Sequence, residues 1–465
     1  MSYSNTHMPM NLGDGHKSGD SVEDAVDRHV YEGGSKRLPT PSSGETTTTK
    51  EKKLPVPPPP PLPPSPPPLD SRLAFQEQKC NSSSPPYPDP PNADSDLSSI
   101  RSYLASGRRL PLVVLTCNRA AYLTKTLESL LSVRGVEKRD ILVVQDGKHA
   151  ETENVVKDFE LKLVQNVGGT NLRRGSPTDG AARIATHYKF ALTEGFKWRG
   201  ESPALIVVED DFLFSPDFLE YFESSGPILE DDPTTFILSA WNDNRLDVHV
   251  RDKSKLLRTS YFPGLGWMLT RALWEKELAC RWPKTHWDHW MRDPARHKGR
   301  DCIYPEVPRD YHIGVKGTFI DDFHHSHYFK DIGYNKEASF SWTGDEYKSA
   351  MKSSYDKDLE DRIDSAAELN SLAELQSARG KSFKIFIDIK PMGRGQQPFK
   401  KIASYFAIWH ELERANYKGV HRFGWDNENY VYIVNEAEAN CRFPRKGKSW
   451  NPADFQVEKK MNKRK

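Results

Sequence analysis

Residues 202–222 read SPALIVVEDDFLFSPDFLEYF. The run from Ala204 to Val208 is continuously apolar, the pattern of a strand covered on both faces, and it stops abruptly at Glu209-Asp210-Asp211. A helical pattern follows in FSPDFLEYF. The same device occurs twice upstream. RLPLVVLTCNR (109–119) is a buried-strand run ending in polar residues, and AAYLTKTLESLLS (120–132) continues with helical spacing. KRDILVVQDG (138–147) stops at Gln145-Asp146-Gly147, and GAARIATHYKFALTEGF (180–196) supplies the next helix. Strands alternating with helices predict an α/β fold on a sheet with parallel strands. Such sheets bind ligands beyond the carboxyl ends of their strands, where Arg119, Asp146 and Asp210-Asp211 all stand.

Working outward, the chain of 465 residues is too long for one domain. Of its 34 prolines, 18 fall between Pro39 and Pro91, in LPVPPPPPLPPSPPPLD (54–70) and SSSPPYPDPPN (82–92). Proline cannot supply the amides of a helix or a central strand, so residues 1–95 are expected to be a disordered, extended tail or stem. Its PxxP repeats fit either a stiff spacer or a ligand for an SH3-like partner. A catalytic unit is expected over 105–350, with residues 234–345 rich in Trp, Gly, His and Asp and read as substrate-facing loops. Residues 351–445 are expected to form a small α+β domain from FKIFIDI, FKKIASYFAIWHEL, YKGVHRFGW and NYVYIV. Residues 446–465 read as a basic, solvated tail.

Charge is balanced, 66 Lys and Arg against 65 Asp and Glu, which excludes a strongly basic nucleic-acid binder. Cys80, Cys117, Cys280, Cys302 and Cys441 are too few and too scattered for a disulfide scaffold or a zinc site. No run approaches the roughly 18 apolar residues of a membrane span, and no signal anchor is visible.

The acidic triplet carries the chemistry. Adjacent carboxylates cannot all enter a dry core unpaired, but at a strand end they can hold a hard divalent cation that neutralises a departing diphosphate. A solvated acidic turn, or a cap for the following helix, explains the same residues.

Longer motifs add a resemblance. VVEDDFLFSPDFLEYF, LSAWNDN, YFPGLGWMLTRALWEKEL, WPKTHWDHWMR and KGRDCIYPEVPRDYHIGVKG, in that order between about Leu110 and Asn335, resemble glycosyltransferase family 13, the inverting β-1,2-N-acetylglucosaminyltransferases. FAIWHELERANYKGVHRFGW and NYVYIV resemble its small C-terminal domain. The resemblance implies a GT-A type nucleotide-sugar-binding mixed sheet flanked by helices, a manganese cofactor (Mn2+), UDP-GlcNAc as donor and a mannose-terminated glycan as acceptor. It implies Golgi residence by an N-terminal anchor, which this chain does not display.

Position by position, Asp211 matches the manganese ligand, and Glu209 and Asp210 match residues lining the nucleotide-sugar. Arg119 in TCNR, Asp146 in VVQDG and His187 in ATHYKFAL match residues contacting the uridine nucleotide. Taken alone, His187 reads more simply as a surface or satisfied core histidine than as a ligand contact. Asp288 in WPKTHWDHWMR matches the catalytic base, and flanking Trp287 and Trp290 are expected to raise its pKa by excluding water. For Trp290 ordinary core packing is the simpler role. PGLGW (263–267) lacks the Lys and Ser of a phosphate loop, so its glycines are expected to permit close backbone approach.

Two departures stand out. Family members pair cysteines in the catalytic domain, but Gly147 and the stretch Phe236-Ile237-Leu238 stand where the partners of Cys117 and Cys302 would be, so neither pair is expected. The loop expected to close over the donor, near Val315–His325, carries Phe319 instead of a small polar residue. Within the family, the triplet and YFPGLGW resemble the members acting on the α-1,3 mannose of N-glycans. VKGTFIDDFHHSHYF and IWHEL resemble those acting on O-linked mannose. A non-catalytic carbohydrate-binding pseudo-transferase is the alternative of another class, disfavoured by the presence of both Asp211 and Asp288.

Overall fold

In a computed structural model, which describes residues 99–168, 179–244, 249–318, 320–390, 397–426, 428–438, 441–443 and 448–455, the apolar runs are the parallel half of a sheet. Strands β1 (Leu112–Thr116), β2 (Ile141–Asp146), β3 (Lys162–Asn166) and β4 (Ala204–Glu209) lie parallel, with β1 between β2 and β4. The helices packed on them are α1 (Ile100–Ala105), α2 (Ala120–Leu131), α3 (Ala150–Asp158), α4 (Asp179–Trp198) and α5 (Phe218–Ser225).

Both faces of this half are covered. Leu112, Val114, Ile141, Val143, Ile206 and Val208 point into one core with Leu123, Leu127 and Phe218, while Val113, Leu115, Leu142, Val144, Leu205 and Val207 point into the other with Tyr188, Leu192 and Phe196. The two-residue period sorts side chains between the faces, and the double burial explains why the sequence shows runs instead of alternation.

The sheet continues beyond β4. Short β5 (Phe212–Phe214) leaves it, and β6 (Thr235–Ser239), β7 (Leu256–Thr259), β8 (Trp267–Thr270) and β9 (Asp301–Pro305) complete the order β3-β2-β1-β4-β8-β6-β9-β7. β8 runs antiparallel to β4 and β6, so the sheet is mixed. The expectation of substrate-facing loops over 234–345 is corrected here: β6, β8 and β9 are interior strands of the sheet and β7 is its edge, and all four are mostly buried. Each has only four or five residues, too few for periodicity to register. β10 (Asp310–His312) pairs with β5 in a separate two-stranded ribbon.

The C-terminal segment builds its own sheet from β11 (Ala367–Glu368), β12 (Ser382–Ile387), β13 (Asn416–Tyr417), β14 (Val420–Trp425) and β15 (Asn429–Asn435), in the order β11-β12-β15-β14-β13. The helix expected from FKKIASYFAIWHEL stops at Phe406, where Ala407 turns left-handed at φ 52°. The basic tail placed from 446 needs correction. Trp450 and Phe455 are buried among Phe383, Ile385, Phe406 and Trp425, and Trp450 donates its indole N–H to the Leu369 carbonyl at 3.2 Å. The folded chain therefore extends through Phe455. The Pro-rich tail, with its expected spacer or SH3-ligand role, lies outside the described residues. No helix among the described residues is long and apolar enough to cross a membrane.

Candidate active site

The carboxyl ends of β1, β2 and β4 bring the expected residues together. Arg119, just past β1, forks across the triplet: one nitrogen pairs with Asp210 and Nη1 lies 2.6 Å from Asp211 Oδ2. Asp210 is further anchored by the Thr116 hydroxyl, which donates at 2.7 Å, and its backbone carbonyl accepts from Thr126 at 2.7 Å. Glu209 accepts from the Tyr188 hydroxyl at 2.6 Å. These bonds answer the energetic objection to burying adjacent carboxylates, because each one is paired or hydrogen-bonded.

Residual cost appears in the titration. Burial and the neighbouring Asp211 hold Glu209 above the ordinary carboxylate range, against the opposing Tyr188 hydroxyl and Arg119. Burial raises Asp210 as well, only partly offset by Arg119. The alternative of a solvated acidic turn does not hold, since Asp210 and Asp211 are both buried. Asp211 Oδ1 has no hydrogen-bond partner. A buried carboxylate oxygen with free lone pairs suits a hard cation. Among the described residues no group of three or more His, Cys, Asp and Glu side chains gathers into a closed cage. Open coordination of this kind is usual for ions bridging substrate phosphates.

Asp146 ends β2 and accepts from Asn166 Nδ2 at 3.4 Å, with burial raising its pKa against the opposing charge of Arg183. Beside it the Cys117 thiol approaches the Asp146 carbonyl at 3.5 Å, next to Gly147 where a paired cysteine would stand. Cys117 and Cys302 are free, as expected. His187 lies on the inner face of α4. Burial pushes its pKa down to about 4, against backbone groups of Val144 and Thr116, and neither ring nitrogen makes a well-formed hydrogen bond.

Asp288 opens the short helix Trp287–Met291, entered through left-handed His286 at φ 47°. Its neighbour Trp287 stacks on Tyr188 with ring centroids 3.9 Å apart, so the Asp288 helix rests on the tyrosine that binds Glu209. The expected rise in the pKa of Asp288 is corrected. Burial pushes it up, but Arg292 and His289 more than compensate and the net shift is downward; Arg292 Nη1 sits 2.8 Å from Asp288 Oδ2. The carboxylate keeps 37% of its side-chain surface exposed, which gives it access to a ligand. Trp290 is buried core, as its simpler role implied. In PGLGW, Gly266 at φ 68° packs so tightly that a Cβ would collide with the Asp310 carboxylate, so this turn serves close approach.

Phe319 lies outside the described residues. Before it, Val315 donates its amide to Tyr122 Oη at 3.4 Å. Residues the sequence reading passed over are Thr116, Tyr188 and His312. Tyr188 adjoins His187 in ATHYKFAL, and His312 stands beside Asp211 only because β10 pairs with β5, a pairing that no local pattern signals.

Comparison with known proteins adds an independent measure. Residues 101–443 match the model of the GNT-I family. The Arabidopsis thaliana protein alpha-1,3-mannosyl-glycoprotein 2-beta-N-acetylglucosaminyltransferase is 32% identical over 343 residues, covering 71% of this chain and 76% of that protein. Among solved structures, S. aureus TarS 1–349 is similar at 14% identity and a TM-score of 0.30, over 44% of this chain; the chain spans 60% of that one. The mannosyltransferase PcManGT from Pyrobaculum calidifontis, in complex with GDP-Man and Mn2+, is similar at 16% identity and a TM-score of 0.28, over 43% of this chain and 58% of that one. A family match running from α1 to the end of the C-terminal sheet, with a relative alike over more than two thirds of the chain, makes this protein a member of the GNT-I family.

Proposed function

We propose that the protein transfers N-acetylglucosamine from UDP-N-acetylglucosamine, in β-1,2 linkage, to a terminal mannose, the α-1,3-linked mannose of N-glycans. The observation that supports it most is the 32% identity, over 71% of this chain, to the Arabidopsis protein whose name states that activity. The same reading makes it a Golgi enzyme.

The roles are those the family resemblance implies, and the chemistry of the residues fits them. Asp146 and His187 contact the uridine end of the donor, and Arg119, Glu209 and Asp210 line its diphosphate and sugar. When bound, manganese supplies positive charge that offsets the charge developing on the departing diphosphate, with Asp211 as its protein ligand. Asp288, held ionised by Arg292, accepts the proton of the mannose 2-hydroxyl at a carboxylate oxygen as that hydroxyl attacks the anomeric carbon. Bond formation on one face and departure of UDP from the other invert the anomeric centre without an enzyme nucleophile.

A second acceptor, O-linked mannose on protein, is favoured by one observation. The two segments that resemble such members meet: Tyr328 stacks on Trp409 with centroids 4.6 Å apart, and Arg414 lies over the Trp409 ring at 4.1 Å. The deciding experiment offers purified protein, UDP-N-acetylglucosamine and manganese to a five-mannose N-glycan and to an O-mannosyl peptide in parallel. A β-1,2 product on the N-glycan, read by NMR, is expected. Product on the peptide alone replaces the acceptor, and no transfer to either defeats the enzyme reading.

A further inference from the structure

Asp211 and His312 are far apart in sequence and adjacent in space. β5 and β10 pair antiparallel with His312 opposite Phe212, and the Ile313 amide donates to the Asp211 carbonyl at 2.8 Å. Backbone pairing thus fixes His312, on β10, beside Asp211, the residue that precedes β5. The imidazole is held edge-on to the Phe212 ring at a centroid distance of 5.2 Å, and lies 4.9 Å from the Phe329 ring.

The outcome is an incomplete polar pair. His312 Nε2 lies 3.5 Å from Asp211 Oδ2, with the two side chains only 4% and 3% exposed. That separation is too long for a sound hydrogen bond. Asp211 Oδ1 and His312 Nδ1 both lack a hydrogen-bond partner. Leaving buried polar atoms unmatched is costly, and such groups call for an explanation. Gly314 adds to the case: a Cβ there would collide with Asp211 Oδ2 and press on His312 Cε1, so the glycine keeps a cradle open where the two side chains face each other.

Neighbouring ligands held at about 2.1 Å by an octahedral cation lie about 3 Å apart. Asp211 Oδ2 also pairs with Arg119 Nη1 at 2.6 Å, so one ion touching both residues requires that pair to yield as the two side chains close by a few tenths of an ångström. We propose that His312, through Nε2, is a second protein ligand of the divalent cation held by Asp211, and that it biases the site toward manganese over magnesium. This rests on the reading of Asp211 as a metal ligand given above. The selectivity follows from ligand type: magnesium prefers oxygen donors and water, whereas imidazole suits first-row transition metals.

The test is electron spin-echo spectroscopy of Mn2+ bound to the full chain in the presence of UDP. Modulation from a directly coordinated imidazole nitrogen is expected, altered when the histidines carry nitrogen-15 and abolished in His312→Asn. In equilibrium titrations His312→Asn should weaken Mn2+ by about 10- to 100-fold and Mg2+ far less. Bound Mn2+ without nitrogen modulation overturns the role of His312 while leaving Asp211 as a ligand. Failure of the wild-type chain to bind Mn2+ at all overturns both. The labelling measurement needs only the wild-type sequence, so it decides the matter even if the variant does not fold.

Discussion

Arg292 and Asp288 form an ion pair with Nη1 and Oδ2 2.8 Å apart, at the two ends of a single helical turn. The pairing keeps a crowded carboxylate ionised at neutral pH, as a proton acceptor must be. Asp288→Asn preserves volume but cannot take the proton. Transfer should fall by about 10² to 10⁴, the range for losing a general base. Donor affinity, measured by calorimetry with UDP-N-acetylglucosamine, should barely change. Loss of affinity in parallel with turnover would instead make Asp288 a donor-site residue.

Removing Arg292 should act through pH. Burial raises the pKa of Asp288 and Arg292 lowers it, so Arg292→Gln should move the pKa up. The base is then protonated over more of the acid range. The acidic limb of kcat/KM should shift to higher pH, with activity lost first on the acid side and largely kept on the alkaline side. An unshifted limb in an active variant would show that another group titrates there.

Much of this site was legible because its residues follow apolar runs. Leu112 to Thr116, Ile141 to Asp146 and Ala204 to Glu209 are buried on both faces, so their composition marks them and their polar ends mark the site. The titration of Asp288 was not legible. Two flanking tryptophans suggested a raised pKa, yet the deciding group is Arg292, whose role depends on where a helix of only five residues begins. The environment of Asp211 was hidden for another reason. Its contacts with Arg119 and His312 arise from strand pairing between distant segments, which carries no local periodicity. The tail boundary at 446 failed because Trp450 and Phe455 are two isolated aromatics in a polar context.

Asp211→Asn should abolish most manganese binding and turnover. The residue is buried, contrary to the exposed strand end that its charge suggests, so fold integrity needs a separate argument. Arg119 keeps Asp210 as its partner, and the crowding that raises Glu209 and Asp210 is relieved by removing one charge. The melting temperature should therefore change little. Equal activity of variant and parent across a manganese titration would refute the assignment.

Trp450→Ala tests where the C-terminal fold ends. The ring is buried in the core of the five-stranded sheet and its N–H is bonded to Leu369. Deleting a large buried aromatic costs about 3–5 kcal/mol. Urea unfolding should show a loss of this size, and stopping the chain at 445 should cost at least as much. A stability unchanged within error would return this segment to the status of a tail.

The last expectation concerns acid stability and uses a residue remote from the chemistry. His421 on β14 is fully buried, donates Nε2–H to the Leu412 carbonyl at 2.9 Å, and has its pKa pushed down to about 4 by burial. The folded chain therefore keeps it neutral, while the unfolded chain protonates it near pH 6.5. Above that pH both states are neutral and its contribution is complete. As pH falls from about 6.5 to 4 the unfolded state gains the proton first, and stability is lost. By pH 4.5 the loss should reach about 2–3 kcal/mol. His421→Asn disturbs the buried packing and the bond to Leu412, so it should be less stable than the wild type at pH 7.5; because it cannot take this proton, the gap should narrow by that amount at pH 4.5. Glu209, Asp210 and His187 also titrate in this range, but they are common to both chains and cancel in the difference. A gap that stays constant with pH would show that His421 does not hold its neutral form against protonation.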